Sequence, residues 1–354
     1  MSRHHLPLHR RRAAQQGMTL VELMVGLVIG MLLVAGLALM FGNASRTNTE
    51  MDKSVRQIEN GRYAVDLLTQ EIGLAGFYGS VPLTTASAVT SPCLSSAALA
   101  GELQTMQAAS TPTVPHPVRG YIPTDAASLS CLANHKSGTP ALVVNRLDAT
   151  STAIASLTDG VLYVQTSHNQ NDSYYSYKAA VGSGSNSTNF NLRNIAGNAN
   201  PARRFITRIY HIATCNDCTG GGDGIPTLKM TELTGGNFTT YALAEGIDQV
   251  AFDFGIDTSG DAVPDEWYGL NGSSTGTQTT YMAGRWGNVV AVRVSLVSRN
   301  TESTNGWVDS TTYSMGLAGT TANTYTPSGA GQAFKRRGHV TTIRLQSWAG
   351  LRET

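Results

Sequence analysis

The longest apolar run of the chain lies near its start. From Met18 to Phe41 every position is apolar except Thr19, Glu22 and three glycines. At 1.5 Å rise per residue, about 24 residues make a helical rod of roughly 36 Å, enough to cross a hydrocarbon core of ~30 Å with some tilt. The pattern then changes character rather than stopping. Met51, Val55, Ile58, Val65, Leu68 and Ile72 recur at helical spacing, while Asp52, Lys53, Arg56, Glu59, Asp66 and Glu71 mostly fall elsewhere. This predicts a helix that continues beyond the membrane and lays one apolar stripe on a sheet. Gly61 costs such a helix about 1 kcal/mol relative to alanine, and Gly73, Gly76 and Gly79 mark its end.

Residues 80–140 are rich in Ser, Thr, Ala and Pro and carry little periodicity, so they read as an irregular connection. Short strands are expected after them at Ala141–Leu147, Val161–Thr166, Tyr174–Ala179, Phe205–Ala213 and Thr227–Leu233. Gly- and Asn-rich tracts, such as 182–189 and 220–224, read as loops. Two stretches alternate cleanly. Val250, Phe252, Phe254 and Ile256 share one face of Ile247–Ile256, and Val290, Val292, Val294 and Leu296 share one face of Asn288–Ser298. Both read as central antiparallel strands with one buried face; a last strand is expected at Val340–Leu345. The fold class that follows is α+β, a long N-terminal helix packed on an antiparallel β-sheet. The expected segments are 1–17, a short arm; 18–41, the transmembrane helix; 42–79, its amphipathic continuation; and 80–354, an exported β-rich domain.

Charge gives the N-terminus a direction. The arm before the apolar run holds Arg3, Arg10, Arg11 and Arg12 and no acid, so by the positive-inside bias it stays in the cytoplasm and the rest is exported. The apolar run is too long for an ordinary secretory h-region, and no A-x-A cleavage site follows it. Glu22 is costly inside such a rod, on the order of 2.5–3.5 kcal/mol on insertion scales, which marks it as functional. A plain signal-anchor with a snorkelling Glu22 is the bland alternative.

Gly17-Met18-Thr19-Leu20-Val21-Glu22 resembles the class III signal of type IV prepilins. The resemblance implies that a prepilin peptidase cuts between Gly17 and Met18, that Met18 becomes an N-methylated terminus, and that Glu22 is the fifth residue of the mature chain. Most members of the family have Phe where this chain has Met18, and Leu39 stands where major pilins often carry a helix proline. An N-terminal amine is cationic at neutral pH; Glu22 of one subunit can therefore pair with the Met18 amine of the next and set axial register. Glu59-Asn60-Gly61-Arg62-Tyr63-Ala64 with Ala75-Gly76-Phe77-Tyr78-Gly79 resembles one branch, the PilW-type minor pilins. Strands at 247–255 and 289–297 flanking an acidic loop, then a basic terminal strand, resemble the same branch. The middle of the chain is unmatched. The implied fold is type IV pilin-like. The implied partners are the peptidase, the inner-membrane assembly platform, other minor pilins, the major pilin and a large tip adhesin.

The remaining chemistry is sparse. Of 354 residues, 14% are charged and 37 are Gly, which suits an exported, loop-rich protein. The net charge of +1 becomes 1 − 4 = −3 once the four leader arginines are removed, and the absence of a basic stripe elsewhere speaks against nucleic acid. Four cysteines allow three pairings; Cys93–Cys131 with Cys215–Cys218 is expected, because each pair then brackets one local loop. Cys215-x-x-Cys218 also admits a redox or half-zinc reading, although no second CxxC accompanies it. Asp257, Ser259, Asp261, the Val263 carbonyl and Asp265 stand at positions 1, 3, 5, 7 and 9 of a shortened calcium loop; position 6 is Ala262 rather than glycine, and an acidic turn without metal is the alternative. No cofactor is required. GxSxG, HExxH and Walker patterns are absent, which argues against an enzyme. His211 reads as structural or solvated, and the four tryptophans as core or subunit-contact residues. A minor pilin of a type IV pilus is the leading reading. The alternatives are a J-type pseudopilin of type II secretion, a membrane-anchored binding or sensory module and, least, a tethered enzyme.

Overall fold

A computed structural model describes residues 17–81, 85–167, 169, 172, 177–184, 186–270 and 281–353. The expected leader, 1–17, lies outside these residues except for Gly17, and so does the start of the strand expected from Tyr174. The N-terminal helix runs unbroken from Leu20 to Gly73, and the chain divides into two compact units between Asp52 and Lys53.

Within the first unit every bulky apolar side chain of the helix is exposed, from Leu20 at 74% to Phe41 at 78%. Among the described residues nothing covers this surface, and the helix is long and apolar enough to cross a membrane.

The second unit is built on two antiparallel sheets. One has six strands in the order Thr321–Tyr325, Tyr313–Gly319, Glu266–Leu270, Ile247–Ile256, Val289–Arg299 and Arg336–Arg344. The other centres on the 12-residue strand Ala202–Ala213. That strand pairs with Ala141–Leu147 and Leu162–Thr166, and also with Thr227–Thr234. Phe252, Phe254 and Ile256 of the first sheet are fully buried and share one core cluster with Leu142 and Tyr210 of the second.

The remainder of the N-terminal helix closes this core, along a stripe that differs from the expected one. Gln57, Gly61, Ala64, Leu68 and Ile72 are buried, whereas Met51 and Val55 are 62% and 50% exposed. Close approach decides the difference. A Cβ on Gly61 would overlap the His339 ring of the Arg336–Arg344 strand, so with this ring in place glycine lets the helix backbone lie this near the sheet. Gln57 is tolerated inside because its Nε2 donates to the carbonyls of Ser298 (2.9 Å) and Lys335 (3.2 Å). The last turns are tied by charge: Glu71 accepts from Arg208 Nη1 at 2.6 Å, and Arg208 Nε reaches Glu232 at 2.8 Å.

Three further expectations change. Within 80–140 a helix forms at Ser96–Ala108, capped by Ser95 Oγ accepting the Ala98 N–H at 3.4 Å. The central strands bury both faces, because Ala251 and Val297 pack under Met315 of the Tyr313–Gly319 strand. Val290 leaves its expected face: the pairing shifts register between Gly255 and Ile256, and the bulge turns Val290 toward Ala262 and Ala349.

Candidate assembly site

The start of the apolar helix carries its one acid in a defined place. Glu22 Oε2 accepts from the Thr19 backbone N–H at 3.0 Å and from Thr19 Oγ1 at 2.9 Å, while the Glu22 N–H donates to Thr19 Oγ1 at 3.2 Å. This is a reciprocal capping box, in which two donors of the first turn are satisfied by side chains. The carboxylate also stands at the positive end of the helix dipole. The sequence reading gives Thr19 no role, although Thr-x-x-Glu at the head of an apolar run is the local signal for it. Met18 is 72% exposed, and among the described residues nothing lies within 4 Å of the Cβ position of Gly17. Gly26 and Gly30, a GxxxG pair, line a shallow trough with Leu23, Leu27 and Val34 on the exposed helix; small residues at this spacing let neighbouring helices approach closely.

The acidic loop after Ile256 is organised by hydrogen bonds. Asp257 Oδ1 accepts from the Gly260 N–H at 2.5 Å, and its Oδ2 accepts from the Ala262 N–H at 3.1 Å and from Arg352 Nε at 3.0 Å. Burial raises the Asp257 carboxyl pKa, but the Gly260 N–H, Arg352 and the Ala262 N–H together hold it below the usual carboxylate range. Asp265 Oδ2 accepts from the backbone N–H groups of Thr258 (2.7 Å) and Ser259 (3.0 Å), and Asp261 Oδ1 from that of Val263 at 2.9 Å. Ala262 has φ 62°, the left-handed conformation that glycine supplies in a calcium loop. Among the described residues no group of three or more His, Cys, Asp or Glu side chains stands where it could hold a metal ion. The cation beside Asp257 is Arg352, which no local spacing announces.

Both expected disulfides are present, Cys93–Cys131 and Cys215–Cys218. His211 is fully buried; its ring lies 5.7 Å from that of His135. Trp348 and Trp286 are core residues, and Trp307 is 44% exposed.

An exposed apolar helix with a capped acid near its start, followed by a helical stretch that closes an antiparallel core, is an α+β layout consistent with a pilin-like fold, and the apolar helix fits a membrane anchor. Residues 209–347 match the family model described as Type IV Pilus-assembly protein W, and residues 12–38 match the prokaryotic N-terminal methylation motif. The first match runs from within the Ala202–Ala213 strand to the C-terminal Gln346–Gly350 helix, and so takes in the central strands of the six-stranded sheet. No curated protein and no solved structure matches the chain. The two matches together support a type IV pilus-related, minor-pilin-like protein.

Proposed function

We propose that the protein is a minor pilin that helps to initiate assembly of a type IV pilus, and that it acts by association rather than catalysis. The observation that carries this reading is the methylation motif on a wholly exposed apolar helix whose continuation is built into a PilW-type domain. The chain is held first as a single-pass inner-membrane protein, its N-terminus cytoplasmic and its sheet domain periplasmic. A prepilin peptidase cuts after Gly17 and Met18 is methylated. That scission leaves the Met18–Thr19 amide intact, so the Thr19 N–H still holds Glu22 and the carboxylate is already oriented when the new amine of a neighbour arrives. In hydrocarbon the Glu22–amine pair then matches one subunit's height to the next. The assembly platform, other minor pilins and the major pilin are the partners of this step, and a large adhesin joins at the tip.

The test is Glu22→Val expressed in place of the wild type. Processing is expected to persist while surface pili fall to the level of a deletion strain. Normal piliation with Glu22→Val would remove the register role, and a deletion that impairs type II secretion with pili unaffected would assign the protein to the J-type pseudopilins instead.

A further inference from the structure

The two disulfides sit in different electrostatic surroundings. Cys93 and Cys131 pack on a small apolar cluster of Ala126, Ala141, Val143 and Ile209, and Cys93 Sγ accepts the Cys131 N–H at 3.3 Å. Cys215–Cys218 closes a two-residue loop at the end of the Ala202–Ala213 strand. Cys215 is 4% exposed and Cys218 is half-buried. Lys229 comes from the paired strand, where it stands opposite His211. Its Nζ lies 3.2 Å from Cys218 Sγ and 3.1 Å from the Asn216 carbonyl, and the side chain is only 8% exposed. A disulfide sulfur is a weak neutral acceptor and returns little to a desolvated ammonium. A thiolate at the same place forms a charge-assisted pair. The contact is therefore worth more in the reduced protein than in the oxidised one.

Hydrogen bonds brace the loop in addition to the S–S bond. Asp223 Oδ1 and Oδ2 accept the N–H groups of Asn216 and Asp217, both at 2.9 Å, and Asp217 Oδ1 accepts the Thr219 N–H at 3.0 Å. These two acids are the negative charges of the loop. Their hydrogen bonds to backbone N–H groups hold both carboxyls below the usual range, so they remain anionic and compete with Cys218 for Lys229. Lys229 nonetheless reaches the sulfur directly.

We infer that Cys215–Cys218 is a thiol–disulfide exchange site, with Lys229 the residue that positions charge on Cys218. An external dithiol is the co-reactant. One of its thiolates attacks the sulfur of Cys218, the less buried of the two cysteines, forms a mixed disulfide and expels Cys215 as a thiolate that takes up a proton. The second thiolate of the reductant then attacks its own sulfur of that mixed disulfide. It leaves as a cyclic disulfide, and Cys218 is released as a thiolate beside Lys229. Two electrons pass from the dithiol to the protein, and the reverse sequence closes the bond again. Cys93–Cys131 lies outside this chemistry and serves as the internal reference.

The test uses the full chain in detergent, equilibrated at graded ratios of reduced to oxidised dithiothreitol. After acid quench, differential alkylation and peptide mass spectrometry read each disulfide in the same sample. Cys215–Cys218 is expected to be half-reduced at a ratio about tenfold lower than Cys93–Cys131, equivalent to roughly 30 mV for a two-electron couple. Lys229→Met should erase most of that gap without moving Cys93–Cys131, and Lys229→Arg should keep it. In the reduced wild type, thiolate absorbance should titrate below the ordinary thiol value of about 8.5, and above that position in Lys229→Met. Equal or harder reduction of Cys215–Cys218 in the wild type overturns the inference whatever the variants do. A gap unchanged by Lys229→Met in folded protein removes the role of Lys229.

Discussion

One helix carries two stretches that use apolar residues in opposite ways. Between Leu20 and Phe41 the side chains are large and apolar, and the bulky ones all lie in the open. Between Lys53 and Gly73 the sequence is far more polar, yet Gly61, Ala64, Leu68 and Ile72 are sealed against two sheets. Hydrophobicity and burial therefore diverge along a single element. Among the described residues the first stretch is left uncovered, as a helix lying in lipid or against another helix would be. The second meets its apolar partner within the chain, and there the deciding property is closeness: a glycine and an alanine bring the backbone near enough for Leu68 and Ile72 to reach the core. The helix changes its surroundings without a break in its conformation.

Substitution separates the two stretches most sharply. Leu68→Ala should destabilise the exported domain by about 2–5 kcal/mol, through lost transfer energy and a residual cavity. Leu32→Ala, in the exposed stretch, should leave the domain's denaturant midpoint unchanged. Equal effects at both positions would undo the distinction.

Acid should act on the domain alone. Burial is the main cause that lowers the His211 pKa from 6.5 to about 4, with His135 and Lys229 adding to it; burial, and then Arg119, bring His116 to about 4 as well. The folded state disfavours the imidazolium, so the associated stability is complete above pH 6.5 and is lost as the pH falls toward 4. The size is on the order of 3 kcal/mol per histidine, read as a falling melting temperature between these pH values. His211→Phe should flatten part of that slope.

Gly61→Ala tests closeness itself. Helix propensity favours alanine by about 1 kcal/mol, but overlap with His339 costs ~1–3 kcal/mol. A net loss of roughly 1 kcal/mol is expected, and Gly61→Ala with His339→Ala should recover stability relative to His339→Ala alone. A stabilising Gly61→Ala would show that the helix stands farther from the sheet. The smallest effect belongs to the acidic loop. With Arg352 already on Asp257, millimolar calcium should leave the domain's melting temperature unmoved, and a rise would reveal cation binding there.

What could be read from the sequence followed local period. Phe252, Phe254 and Ile256 alternate against turn signals, and the structure buries all three; Met18–Phe41 announces its exposed rod by composition alone. What could not be read depended on residues distant in the chain. The stripe on the helix is set by His339 against Gly61, so counting apolar positions places Met51 and Val55 on a face they do not share. Val290 is displaced by a bulge that its own alternation conceals. The second buried face of Ile247–Ile256 comes from the hairpin Tyr313–Tyr325, whose glycines and threonines look like loop. At the N-terminus the opposite holds: Thr19 and Glu22 are three residues apart, and their pairing follows from sequence once the capping pattern is applied.

The most direct measurement is the mass and N-terminal sequence of the protein recovered from membranes of cells that contain the prepilin peptidase. The mature chain should begin at Met18 with a single added methyl group and retain the entire apolar helix. A chain that still carries its arginine-rich leader, or one that begins beyond Phe41, would contradict the account.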